Sequence, residues 1–258
     1  MKIGFFDSGI GGITVLYHAL RLLPKENYVY YADTLHVPYG EKSKNDVKKY
    51  VFEAVEFISQ QNIKALVIAC NTATSVVAKE LRDKYSFPII GIEPAVKPAI
   101  IKEQERGTRV LVLATNLTLK EDKFNKLVTR LDNEHIVDGL ALPGLVGFAE
   151  KFEFNENVVL PYLKSQLTSY KLDQYGTVVL GCTHFPFYKD MLKKLLPKTV
   201  DIIDGGIGTA ENLKRILEKT NQVNDGIGEI EYYISGTKVK NEQTLNQYAK
   251  LFERLSKL

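Results

Sequence analysis

The sequence predicts an α/β protein built from two related halves, each a parallel-rich sheet flanked by helices. Three observations carry this expectation. Short apolar runs alternate with amphipathic helical segments along the whole chain; some of the runs, such as 65–69, contain no polar residue; and one strand, polar cluster, helix, strand pattern occurs twice. A strand without polar alternation suits burial on both faces, and strand–helix alternation builds a parallel sheet covered by helices.

Taken in order, 2–6 is a strand that runs into Asp7, Ser8 and the turn Gly9, Ile10, Gly11, Gly12; a helix over 14–23 then stops at Pro24. A strand over 28–32 leads into the loop 33–43, after which Val47, Tyr50, Val51, Ala54, Val55 and Ile58 recur at helical spacing. The strand 65–69 ends at Cys70, followed by a helix to Tyr85 and a strand over 89–92. The cycle restarts after Pro94 with a helix to about Glu105, the strand 109–114, a turn from Thr115 to Thr118 and a helix from Lys120. A less regular stretch, 143–150, precedes a helix over 155–170 and the strand 177–181, which ends at Cys182. A helix to Leu196, a strand over 200–203, a helix over 210–218, a strand over 229–235 and a helix to Leu258 complete the chain. Within this order, 64–91 reads strand, Cys-Asn-Thr, helix, strand, and 177–205 reads strand, Cys-Thr-His, helix, strand.

Bulk properties narrow the function. A 258-residue chain, 45% hydrophobic and 25% charged, is an ordinary globular composition, and a net charge of +3 without a dense Lys/Arg run gives no nucleic-acid footprint. No apolar run approaches a membrane span, and 1–6 enters a strand directly with no signal-peptide pattern, so a cytoplasmic location is expected. Two cysteines without Cys-x-x-Cys or clustered His argue against zinc, and in the cytoplasm they stay reduced.

In open parallel sheets, ligands bind at the carboxyl ends of the strands. Asp7–Ser8, Cys70–Asn71–Thr72, Thr115 with Thr118, and Cys182–Thr183–His184 all fall at such ends and just before helices. Free N–H groups at a helix start favour an anion and a thiolate. The glycine turn lacks the dinucleotide fingerprint, because Thr14 stands where its last glycine belongs. Taken singly, each residue has a plainer reading: the cysteines as packing, Asp7, Ser8, Thr115 and Thr118 as caps, Tyr39 and Gly40 as turn residues. Cys182 and His184 could form a nucleophile pair for acyl transfer, but residues two apart after a strand need not face each other, and that chemistry needs no second thiol. Two thiols at matched positions suit a symmetrical reaction, in which one removes a proton from one face of a carbon and the other returns one to the opposite face. The residues thus point to an enzyme working without cofactor on a small anion.

The stretch 3–16 around Asp7 and Ser8, the stretch 32–43 around Pro38, Tyr39 and Gly40, and 68–74 and 180–186 around the two cysteines resemble the signatures of bacterial glutamate racemases, as does 91–95. The resemblance runs in order over nearly the full chain. It implies two similar α/β domains, 1–94 plus 207–258 and 95–206, with the active site in the cleft between them. It further implies that Cys70 deprotonates D-glutamate and Cys182 L-glutamate, that Asp7 assists the first and His184 the second, and that Glu150 is a further acidic helper. Ser8, Pro38, Tyr39, Gly40, Asn71, Thr72, Thr115, Thr118 and Thr183 match substrate-holding positions. The implied enzyme supplies D-glutamate for peptidoglycan, forms a homodimer, and uses neither metal nor pyridoxal phosphate. Glu121, Phe124, Leu142 and Phe185 depart from residues common in relatives. Aspartate racemase is the nearest rival, against which the stretch 33–43 favours glutamate; a non-catalytic sensor of acidic metabolites and a single-cysteine decarboxylase are more distant ones.

Overall fold

The computed structural model describes residues 1–224 and 226–258. Its first part comprises β1 (Lys2–Asp7), α1 (Ile13–Leu22), β2 (Tyr28–Ala32), α2 (Lys44–Ser59), β3 (Ile63–Ile68), α3 (Asn71–Lys84) and β4 (Ile89–Gly91). Next come α4 (Val96–Arg106), β5 (Arg109–Ala114), α5 (Asn116–Lys120), α6 (Asp122–Leu131), β6 (Val137–Ala141), α7 (Pro143–Glu150), α8 (Glu156–Leu167), β7 (Tyr175–Leu180), α9 (Lys189–Leu195) and β8 (Asp201–Asp204). The chain closes with α10 (Gly206–Lys219), β9 (Ile230–Ile234), β10 (Thr237–Lys238) and α11 (Glu242–Ser256).

Two sheets form, ordered β10-β9-β2-β1-β3-β4 and β6-β5-β7-β8. Every pairing is parallel except that of β10 with β9. Leaving aside β9 and β10, the two sheets have one topology, and they share a defect. β1 pairs Lys2 with Ile63 and then Ile3 with Ala65, skipping one residue; β5 pairs Arg109 with Tyr175 and then Val110 with Thr177, skipping one residue at the same point. A shared irregularity is harder to reach independently than a shared strand order, and it supports the half-repeat seen in the sequence.

The central strands β3 and β7 are buried along their whole length, as their largely apolar sequences require, and their buried Lys64 and Thr177 are paired with Glu26 and Glu103. One apolar cluster joins the two halves, running from Phe5 and Leu16 through Leu213 to Leu113, Leu180 and Phe185. Two further clusters cover the outer faces, one around Val51 and Leu66 and the other around Ile100 and Val112. None of the described helices is long and apolar enough to cross a membrane.

The structure departs from the sequence reading in several places. The stretch 143–150 is a helix, α7, with Pro143 in its first turn, where its fixed φ and missing N–H do no harm. The expected turn from Thr115 to Thr118 is the start of α5, capped by Thr115. The segment after Cys182 opens with a tight helical turn, Phe185–Tyr188, before α9. The sequence reading missed β6 and β10; β6 is an edge strand carrying Asp138 and Gly139, and β10 spans two exposed residues.

Candidate active site

Four strand ends meet where the two halves face each other. At the end of β1, Asp7 is fully buried, and its Oδ1 accepts the Gly9 N–H at 2.9 Å. At the end of β3, Cys70 caps α3, its sulfur accepting the Ala73 N–H at 3.5 Å and lying 3.7 Å from Ser8 Oγ. At the end of β5, Thr115 Oγ1 accepts the Thr118 N–H at 3.2 Å, and the hydroxyls of Thr115 and Thr118 lie 3.0 and 3.2 Å from that of Thr72. This threonine triad links α3 of one half to α5 of the other.

At the end of β7, a bond from the Phe185 N–H to the Cys182 carbonyl (3.1 Å) curls the chain into a tight turn. That turn brings Cys182 and His184 face to face, with Sγ and Nδ1 3.7 Å apart. The other ring nitrogen of His184 meets Glu150 Oε1 at 2.6 Å, and the same oxygen accepts the Ile10 N–H at 2.8 Å. Thr183 donates to Asp7 Oδ2 at 3.1 Å, and Thr14 donates to the Thr183 carbonyl at 3.0 Å. The glycine turn permits this close docking. A Cβ at Gly11 would lie 2.4 Å from the Thr183 hydroxyl and 2.5 Å from His184 Nδ1. Gly40 is confined in the same way, since a Cβ there would lie 2.4 Å from the Thr115 side chain. Tyr39 is held by a 2.6 Å bond from its hydroxyl to Asp33.

Ser8, Pro38, Tyr39, Gly40, Cys70, Asn71, Thr72, Thr115, Cys182, Thr183 and His184 line one cavity of ≈ 280 Å³. Every lining residue except the half-buried Pro38 is buried, Cys70 and Cys182 being 5% and 7% exposed, so the cavity is largely screened from bulk water. Asp7, Thr118 and Glu150 stand behind its wall, one hydrogen bond away from lining residues. The sequence reading did not single out Val146, which supplies an apolar wall from α7; an ordinary apolar residue in a stretch read as irregular gave no signal. Both amide atoms of Asn71 are buried without a hydrogen-bond partner. An orphaned amide costs free energy until a ligand satisfies it. No cluster of three metal-ligating His, Cys, Asp or Glu side chains occurs among the described residues.

The electrostatics differ on the two sides. Burial pushes the Asp7 carboxyl up to about 6, although the charge of His184 and the Gly9 N–H pull it back. Burial, with the charge of Asp7 added, pushes the Cys70 thiol well above its ordinary value, so Cys70 rests as the thiol. Burial alone would lower the proton affinity of His184, but the hydrogen bonds and charges of Cys182 and Glu150 outweigh it and hold the imidazole well above its usual range. Thus one sulfur stands as a neutral thiol beside a carboxyl, and the other beside an imidazolium.

Residues 16–212 match the Asp/Glu/Hydantoin racemase family. The chain is 59% identical to glutamate racemase 2 of Bacillus subtilis (strain 168), over 99% of this chain and 96% of that one. It belongs to the Asp/Glu racemase family. The glutamate racemase of Halothermothrix orenii is 53% identical over 99% of this chain and all of its own length. The crystal structure of a glutamate racemase isoform from Bacillus anthracis superposes with a TM-score of 0.76 at 33% identity, covering 90% of this chain and 86% of that one. The chain is therefore a racemase, an isomerase with parallel-rich sheets flanked by helices.

Proposed function

We propose that this racemase interconverts L- and D-glutamate by a two-thiol, one-proton mechanism, without cofactor. The observation that carries the reading is that Cys70 and Cys182, delivered by the equivalent strands β3 and β7 of the two halves, line one small, largely buried cavity. From L-glutamate, the Cys182 thiolate, standing against the His184 imidazolium, takes the α-proton. The electron pair remains on the α-carbon and its carboxylate, and the Cys70 thiol delivers its own proton to the opposite face. Cys70 is then the thiolate and Cys182 the thiol, which is the starting state for the reverse reaction. Asp7 assists Cys70, and His184 with Glu150 assists Cys182. The carbanion-like charge is held by hydrogen-bond donors around the cavity, namely the N–H groups at the start of α3, the Asn71 amide and the hydroxyls of Thr72 and Thr115, with Thr118 positioning these two threonines and Thr183 tying the wall to Asp7. Ser8, Pro38, Tyr39 and Gly40 complete the substrate wall.

The same reading takes 1–94 plus 207–258 and 95–206 as two domains closing on the substrate. It places the enzyme in the cytoplasm as a homodimer supplying D-glutamate for peptidoglycan. Cys70→Ser and Cys182→Ser, assayed singly by polarimetry with glutamate and with aspartate, test it. Each variant is expected to lose racemisation by at least about a hundredfold, and wild-type enzyme is expected to prefer glutamate. Near-normal racemisation in either variant overturns the two-thiol reading; faster turnover of aspartate overturns the substrate.

A further inference from the structure

A small cavity whose lining is almost wholly buried raises the question of how a dicarboxylate reaches it. A second and larger hollow, ≈ 970 Å³, opens to the surface between α3, the loop after β4, and α6. Asn71 lines both hollows, and Thr118, hydrogen-bonded to Thr72 and Thr115 of the cavity wall, lines the outer one. The partition between them is therefore the orphaned amide of Asn71 and the threonine triad, the groups that most need a polar guest. On the outer wall, Lys123, Lys126, Leu127 and Arg130 fall on one face of α6, at spacings of three, four and seven residues. Lys123 is tied to Glu93 across the hollow. Lys126 and Arg130 are exposed, lie in a hollow whose only acidic residue is already paired, and have no ion-pair or hydrogen-bond partner among the described residues. No residue of α6 is fully buried, and Phe124 and Leu127 only half-bury themselves over the apolar cluster beneath. A helix held this lightly opens at low free-energy cost.

We infer that this groove is the entrance to the reaction cavity, and that Lys126 and Arg130 draw the dicarboxylate to Asn71 beneath α6. The inference rests on the racemase reading above and extends it to the route of capture. Two unpaired cations in an apolar, partly enclosed groove concentrate a dianion at its mouth, an effect that salt screens. Since neither side chain lines the reaction cavity, they act on capture and leave the chemical step alone.

The test uses the intact enzyme carrying Lys126→Glu and Arg130→Glu together. Lys198→Glu with Lys240→Glu serves as a control of equal charge change at exposed lysines outside the groove. At low salt the groove variant is expected to lose about tenfold in kcat/KM for glutamate, through KM, with kcat within about twofold and the salt dependence flattened; the control matches wild type. The chain has only two cysteines, so their alkylation gives a second readout that needs no turnover. Iodoacetate, an anion, is expected to alkylate the groove variant about tenfold more slowly than wild type, while neutral iodoacetamide reacts with both at the same rate. Unchanged KM and salt dependence, or equal slowing of both reagents, overturns the entrance. Slowing of iodoacetate alone in the groove variant, together with a wild-type enzyme that does not racemise glutamate, overturns the proposed function and leaves the entrance standing.

Discussion

Asp7→Asn separates what the site needs for chemistry from what the fold needs for stability. Asn keeps an oxygen for the Gly9 N–H, and its amide takes the place of Oδ2 toward the Thr183 hydroxyl, which can turn to accept. The substitution therefore removes a buried charge and little else. Asp7 moves from 3.8 to about 6 on folding, and at 1.36 kcal/mol per tenfold in proton affinity this amounts to about 3 kcal/mol. The sign follows from proton binding. The folded chain holds the Asp7 proton more tightly than the unfolded one, so stability falls as pH rises from about 4 to about 6 and levels off above that. At pH 7.5 the variant should be more stable than wild type by up to about 3 kcal/mol, the gap narrowing as pH drops through 6 toward 4. Guanidinium unfolding of both proteins at several pH values between 4.5 and 7.5 measures it, and the difference curve cancels the groups that do not interact with Asp7. Racemisation should fall by about a hundredfold in the same variant. A stability difference that stays constant with pH, or a variant less stable than wild type at pH 7.5, would show that burial of the Asp7 charge is not the dominant cost and refute the reasoning.

Glu150→Gln keeps an acceptor for the Ile10 N–H but removes the charge facing His184, so the imidazole should release its proton at lower pH. Because His184 gains proton affinity on folding, the stability it contributes is complete below its unfolded value and is lost as pH rises through the raised folded one; in the variant the contribution is smaller and its loss is finished at lower pH. NMR titration of the His184 ring checks this, and an unchanged midpoint would refute the coupling. Asn71→Leu replaces two unsatisfied buried polar atoms by hydrocarbon, so the ligand-free protein should gain about 1 kcal/mol while KM for glutamate rises at least tenfold. Thermal unfolding and steady-state kinetics read both effects, and a destabilised variant would mean that the amide already has a partner.

Much of the architecture was legible because burial leaves a direct mark on composition. The apolar runs ending at Cys70 and Cys182 could be read as central strands, since a strand covered on both faces is mostly apolar and the polar residues it does hold, Lys64 and Thr177, must be paired, here with Glu26 and Glu103. The edge strand β6 lacks that constraint, and with Asp138 exposed to Arg109 and Tyr175 its sequence looks like a loop. The helix α7 escaped because Pro143 and two glycines, Gly144 and Gly147, suppress its intrinsic propensity; tertiary packing of Leu145, Val146 and Ala149 makes it helical. At the site, strand-end position and a helix start were enough to single out the polar clusters. The contact of Cys182 with His184 was not readable, because it depends on whether the chain leaves the strand into an extended or a curled turn, and that is decided by one backbone bond, from Phe185 to Cys182.

The two halves share a topology and a skipped residue, yet they equip their thiols differently, and the difference comes from contacts between the halves. Glu150 belongs to α7 but accepts the N–H of Ile10; Thr183 follows β7 but donates to Asp7. The carboxyl that serves Cys70 and the imidazole that serves Cys182 therefore feel each other: the charge of His184 favours ionised Asp7 against burial, and the Asp7 charge disfavours a Cys70 thiolate. Protonation on one side of the substrate is thus tied to protonation on the other, as a reaction requires in which one thiol must be charged while its partner is not. Substitutions at Asp7 and His184 should in consequence be non-additive, the double variant losing less than the product of the single losses, because each single change already disturbs the partner's proton.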